Sequence, residues 1–110
     1  MIVYCPIVEF IFYLMSTYRL LCGRSIPENK GGGFVTESEL RAFEDRLNEY
    51  LGLDFNRVDS VGSWQGIREK SVNYTISADR GRVEEAGRLY KELNNQESVA
   101  IQEVPEIAFI

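Results

Sequence analysis

An α+β fold, with one four-stranded antiparallel sheet and two helices on one of its faces, is what this sequence predicts, and three observations carry it. Two helix starts are written in side chains: Thr36-Glu37-Ser38-Glu39 has the form of a capping box, and Asp79 stands directly before an amphipathic run. The stretch from Gly62 to Ser77 reads as two strands joined by a tight turn at Gln65-Gly66. It carries the only tryptophan, Trp64, just before the turn, and alternating apolar residues Val72, Tyr74 and Ile76 after it. The elements then follow in the order strand, helix, strand, strand, helix, strand.

At 110 residues the chain is expected to form one domain with one modest core. A composition of 45% hydrophobic and 26% charged residues is that of an ordinary globular protein and argues against disorder. A formal charge of -5 repels phosphate backbones, so no nucleic-acid partner is expected. The absence of histidine removes the commonest general base and the commonest metal ligand, and no cofactor or metal motif is present. Cys5 and Cys22 are too few for a disulfide framework; Cys22 lies in an apolar run as a small core thiol, and reduced thiols in a cytoplasmic setting are expected.

Residues 1–14 are strongly apolar, but Pro6 and Glu9 interrupt a stretch already short for a membrane span, so no membrane partner is expected. Two readings stand for this extension: an added strand covering a sheet edge or partner surface, or a dispensable segment ahead of a start at Met15, the latter preferred. The domain proper is residues 15–110.

Strand formers from Thr17 to Cys22 stop at Gly23 and make the first strand. Residues 24–35, with Pro27, Asn29 and three consecutive glycines, predict a mobile loop. The glycines lack the lysine and hydroxyl residue that follow in a P-loop. Helix one is predicted from Glu37 to Leu51, with Leu40, Phe43, Leu47, Tyr50 and Leu51 on one stripe and Gly52 as its left-handed stop. Strand two, from Phe55 to Trp64, is less regular and contains Gly62, which fits an edge strand with a bulge. Strand three runs from Arg68 to Ala78, with Val72, Tyr74 and Ile76 inward and Asn73, Thr75 and Ser77 outward. Helix two, from Arg82 to Leu93, places Val83, Ala86, Gly87, Tyr90 and Leu93 on a face and ends at Asn94-Asn95. Strand four spans Ser98 to Val104 and is terminated by Pro105.

This order is the split βαβ, ferredoxin-like arrangement, βαββαβ, with sheet order 4-1-3-2. It makes strands one and three central and leaves one sheet face without helices, where water or a polar partner can lie.

Several short blocks together resemble the DUF3574 family of uncharacterised bacterial and phage proteins. They are Cys22-Gly23-Arg24, Val35 with the capping box, Gly62-Ser63-Trp64-Gln65-Gly66, Arg68-Glu69-Lys70-Ser71, and Tyr90-Lys91 followed by Gln96-Glu97-Ser98-Val99. The likeness covers Tyr18 to Val104, and Gln96-Glu97-Ser98-Val99 is its most distinctive part. Where that family has Gly-Gln-Trp-Arg, this chain has Gly-Ser-Trp-Gln, so no arginine follows Trp64. The resemblance implies a ferredoxin-like fold that pairs as a homodimer and implies no known reaction.

The topology sends separated residues to one end of the sheet: Arg24 after strand one, Thr36 at the start of helix one, Trp64, Arg68 and Glu69 around the hairpin turn, and Gln96, Glu97 and Ser98 after helix two. A helix start with free amides beside two arginines suits a small anion or carboxylate. The structural alternative pairs Glu69 and Glu97 with Arg24 and Arg68 and makes Trp64 a plug for the core. Three functions follow: a homodimeric module binding a small anionic ligand or a protein; a dimeric α/β-barrel enzyme acting on a small molecule; or an RNA-binding sheet. In the enzyme, acid/base work falls to Glu69, Glu97 or Tyr74. The RNA option needs outward aromatics on strand three, where Asn73, Thr75 and Ser77 stand. The binding module is the expectation taken forward, with catalytic residues unassigned.

Overall fold

Alternating apolar residues organise the two central strands. In β1 (Ser16–Gly23), Tyr18, Leu20 and Cys22 are buried, and in β3 (Ile67–Ala78), Val72, Tyr74 and Ile76 are buried. The computed structural model describes residues 16–64 and 67–105, and side chains outside 62–69. The extension 1–14 and the turn residues Gln65 and Gly66, both singled out above, lie outside the described residues.

β1 and β3 pair antiparallel, with Leu20 opposite Tyr74. β2 (Asn56–Trp64) flanks β3 and β4 (Ala100–Val104) flanks β1, so the sheet order is β2-β3-β1-β4, the predicted topology read from the other edge. The β2–β3 register runs unbroken from Asn56 opposite Thr75 to Trp64 opposite Ile67. The bulge expected at Gly62 is therefore absent. Gly62 sits in register opposite Glu69, where a residue without a side chain is accommodated at an edge without an extra residue in the strand.

α1 (Glu37–Glu49) starts as predicted. The Thr36 hydroxyl accepts from the Glu39 amide, and the Glu39 carboxylate accepts from the Thr36 amide. It ends two residues before the predicted Leu51, because the Leu51 amide bonds back to the Arg46 carbonyl and Gly52 takes φ 63. α2 (Arg80–Leu93) starts directly after its cap, with Asp79 accepting from the Arg82 amide. Both helices pack on one face of the sheet. The Phe43 ring meets Tyr74 and Tyr90 edge-on at 5.1 and 5.0 Å, closing a single core.

Residues 24–35, expected as a mobile loop, fold into a closed hydrogen-bonded excursion. A 3-10 turn at Glu28–Lys30 is followed by Gly31, Gly32 and Gly33, all at positive φ, which only glycine adopts three times in succession without strain. The Ile26 amide to the Gly33 carbonyl and the Val35 amide to the Arg24 carbonyl tie the returning chain. Strand four begins at Ala100 rather than Ser98: its ladder with β1 starts at Leu21 opposite Ala100.

Candidate functional site

The sheet end predicted to carry the site does gather Arg24, Thr36 and Gln96. The β2–β3 hairpin runs past the end of β1 there: Gly23 is opposite Ser71, and the Arg24 amide donates to the Lys70 carbonyl. The backbones of Trp64, Arg68 and Glu69 lie in that arm, but their side chains fall outside the described residues. Glu97 and Ser98 follow α2 and are exposed.

The polar groups brought together here bond to the chain itself. Arg24 donates from Nε and Nη2 to the Val35 carbonyl at 3.1 and 2.9 Å. Gln96 is buried and gives its amide to the Ser25 and Asn94 carbonyls. The Tyr90 hydroxyl donates to the Gly23 carbonyl at 2.6 Å. At the start of α1 the Glu39 carboxylate takes the place that an external anion would occupy, and Glu37 adds a second negative charge to that turn. Among the described residues, Arg24 and Glu97 form no ion pair.

The dominant charge cluster was not foreseen. Arg57, on the helix-covered face of β2, donates to Glu37 at 2.6 and 2.9 Å and to Glu44 at 3.1 Å, and also pairs with Asp59. The Tyr74 hydroxyl donates to the same Glu44 carboxylate at 2.8 Å. The Arg57 hydrogen bond holds the Glu37 carboxyl below the usual carboxylate range. Burial, with the neighbouring Glu44, pushes the Tyr74 phenol far up. Tyr74 is fully buried, which removes it as an acid/base candidate: it reaches Glu44 and no solvent. Burial likewise pushes the Cys22 thiol up, as for an inert core residue.

A cleft of about 650 Å³ opens at the opposite end of the sheet. It exists because β2 begins at Asn56, opposite Thr75, leaving the last three residues of β3 without a partner on that side. The connection after α1 skirts this notch. Leu53, Phe55 and Ala78 supply an apolar floor, and Asn56, Thr75 and Ser77 a polar wall. Phe55 is half-buried and meets the Tyr74 ring edge-on at 5.4 Å. Asp54, Asp79 and Arg82 stand at the rim, and Arg82 turns its Nη2 onto the Leu51 carbonyl. The sequence signal for this wall was present in the outward alternation of Thr75 and Ser77; its pairing with the loop after α1 was not.

Asn56, Thr75 and Ser77 also belong to the sheet face that carries no helices. Strand register puts Thr17, Arg19 and Leu21 of β1 on that face, beside Asn73 and Ser71 of β3, Val58 and Ser60 of β2, and Ala100, Gln102 and Val104 of β4. Hydroxyl pairs Thr17–Ser77 at 2.9 Å and Ser60–Ser71 at 2.7 Å link its strands. Among the described side chains Arg19 is the only charged one on the face, and it donates to Gln102 at 3.4 Å; strand register places Glu69 of β3 on the same face.

The class these observations define is a ferredoxin-like α+β domain with one open sheet face. No protein-family model matches the chain, and no curated protein does either. Among solved structures it is similar to the periplasmic divalent cation tolerance protein CutA from Archaeoglobus fulgidus, at 12% identity and TM-score 0.51 over 87% of each chain. It is similar to the divalent cation tolerance protein from Thermus thermophilus, at 15% identity and TM-score 0.52 over 86% of this chain and 87% of that one. A phage SAM lyase in complex with S-methyl-5'-thioadenosine aligns at 20% identity and TM-score 0.52, over 82% of this chain and 81% of that one. Likeness at this level shows the fold. No helix among the described residues is long and apolar enough to cross a membrane, and no group of His, Cys, Asp or Glu among them could hold a metal ion.

Proposed function

We propose that the chain is a homo-oligomeric binding module whose copies meet through the open sheet face and hold a small molecule beside it. One observation carries this reading: on a face spanning four strands, Arg19 is the one charged residue among the described side chains and Glu69 the one other charged residue that strand register places there, in a chain that is 26% charged. Depletion of charge, with small hydroxyl residues around the apolar Leu21 and Val58, is the composition of an interface core rather than of solvated surface. Four strands about 4.8 Å apart and about 25 Å long give on the order of 500 Å² per copy. A pair of such faces reaches on the order of 1,000 Å², the lower bound for a specific interface. A homodimer is the simplest assembly, and kinship with the DUF3574 family, supported by Gln96-Glu97-Ser98-Val99, belongs to the same proposal. Light scattering coupled to gel filtration at micromolar concentration tests it. The expected mass is a multiple of one chain, reduced to one chain by Leu21→Glu; a single-chain mass for the parent removes the reading.

A second reading is favoured by the fold neighbour that is a SAM lyase in complex with S-methyl-5'-thioadenosine. Under it, this chain is an enzyme that removes the amino-acid arm of SAM. As a base takes a proton from the carbon next to the C–S bond, that C–H pair becomes a carbon–carbon double bond in the released arm and the C–S pair leaves with sulfur as a neutral thioether; departure needs no proton from a general acid, which suits a chain without histidine. Glu69 and Glu97 remain as its candidate bases. Incubation with SAM and chromatographic detection of S-methyl-5'-thioadenosine decides this reading: product at the rate of the protein-free control excludes it.

A further inference from the structure

We infer that the cleft between the end of α1 and the start of α2 takes a phosphate-free, cationic nucleoside. This deepens the binding-module reading and rests on it in one respect, that the ligand lies beside the assembly face. The volume of about 650 Å³ is within the range of small-molecule pockets. On its floor the half-buried Phe55, backed by the buried Leu53 and Ala78, offers an aromatic surface to a flat ring. Asn56 and Thr75 present an amide and a hydroxyl on one wall, and the Ser77 hydroxyl, bonded to Thr17, keeps a further acceptor position, the groups that recognise sugar hydroxyls without needing charge.

The sign of the rim decides between cation and anion. Asp54 and Asp79 contribute two negative charges and Arg82 one positive charge, so the described lining residues leave the rim net negative. The start of α2 does not reverse this balance, because Asp79 already accepts from the Arg82 amide at 3.2 Å. A phosphate entering here meets two carboxylates against one guanidinium in a protein of net charge -5, whereas an ammonium or sulfonium group meets a rim of net complementary charge. The wall residues Asn56, Thr75 and Ser77 lie on the open face, so a second copy seated on that face closes the cleft and removes water from the same charges.

Three adenosine derivatives that differ only at the 5' position test the assignment by calorimetric titration of the full chain: 5'-amino-5'-deoxyadenosine (a cation), S-methyl-5'-thioadenosine (neutral) and adenosine 5'-monophosphate (an anion). The expected order is cation, then neutral, then anion, with about tenfold between the first two. Asp54→Asn, and Asp79→Ser, which keeps a helix-capping oxygen, should each reduce that ratio severalfold and leave the neutral probe unchanged. Equal or tighter binding of the monophosphate, an unchanged ratio in both variants, or no binding of any probe overturns the cleft assignment. Mass measurement on the same samples separates the two readings. A single chain that binds in the expected order sinks the assembly and supports the cleft, while an oligomer that binds none of the three sinks the cleft alone.

Discussion

Replacing Tyr74 by phenylalanine separates a structural from a chemical role for the one buried phenol that sequence reasoning placed among acid/base candidates. Its hydroxyl donates to Glu44 at 2.8 Å, and Glu44 also accepts from Arg57 at 3.1 Å. A hydrogen bond to a charged acceptor contributes about 1.5–3 kcal/mol. Glu44 retains Arg57 in the variant, and both side chains are 17% exposed, which places the loss at the lower end, about 1.5–2 kcal/mol. Phenylalanine preserves the ring and its edge contacts with Phe43 and Phe55, so no cavity adds to the cost. For a domain of this size the loss lowers Tm by about 10 °C. Glu44→Ala leaves the Tyr74 hydroxyl buried without its acceptor, and the double variant Tyr74→Phe, Glu44→Ala should therefore be more stable than the sum of the singles predicts, by about 1.5 kcal/mol. Urea denaturation of the four proteins measures the cycle. Additive losses, or a Tyr74→Phe protein as stable as the parent, would refute the reasoning.

Other outcomes follow from the same packing. Burial raises the Tyr74 and Tyr90 phenols and the Cys22 thiol, so the folded chain keeps protons that the unfolded chain releases from about pH 9 to 10. Stability is full below that range and falls as pH rises through it, by up to about 1.4 kcal/mol per pH unit for each group; a denaturation midpoint that is flat between about pH 8 and 11 contradicts this. Gly87, inside α2, has room for a methyl group, since an added Cβ meets Leu20 at 3.6 Å and Val99 at 3.7 Å. Gly87→Ala should stabilise the protein by about 1 kcal/mol through helix propensity, and a lower midpoint would mean that the helix seats closer to the sheet. Gly23→Ala meets the Gln96 side-chain oxygen at 3.1 Å, and Gln96 is held by its bonds to Ser25 and Asn94. It should cost about 1–3 kcal/mol by thermal unfolding, relieved by the smaller Gln96→Ser in the same chain.

What was legible in the chain is what depends on neighbours in sequence. The capping box at Thr36 and Glu39 and the cap at Asp79 close within three residues, so residue type and spacing suffice to place them. The alternation of Val72, Tyr74 and Ile76 assigns the buried face of β3 for the same reason, and the order of elements leads to the sheet order. The bulge at Gly62 was a misreading of an edge strand that pairs on one side only, where weak alternation reflects exposure rather than an inserted residue. The Arg57 cluster joins residues 20, 13 and 2 positions away, and no periodicity ties its members together.

The residues alone determined how many elements form, which faces of them are apolar, and that one sheet face stays uncovered, because these follow from local hydrogen bonding and a repeat of two or about 3.6. Tertiary structure decided how the polar groups are used. Arg24 and Gln96 meet as the topology requires and bond to backbone carbonyls, while the cleft forms at the other end, where β2 starts too late to cover the last residues of β3. A donor's partner and a strand's missing neighbour are set by distances across the fold, which spacing along the chain does not encode.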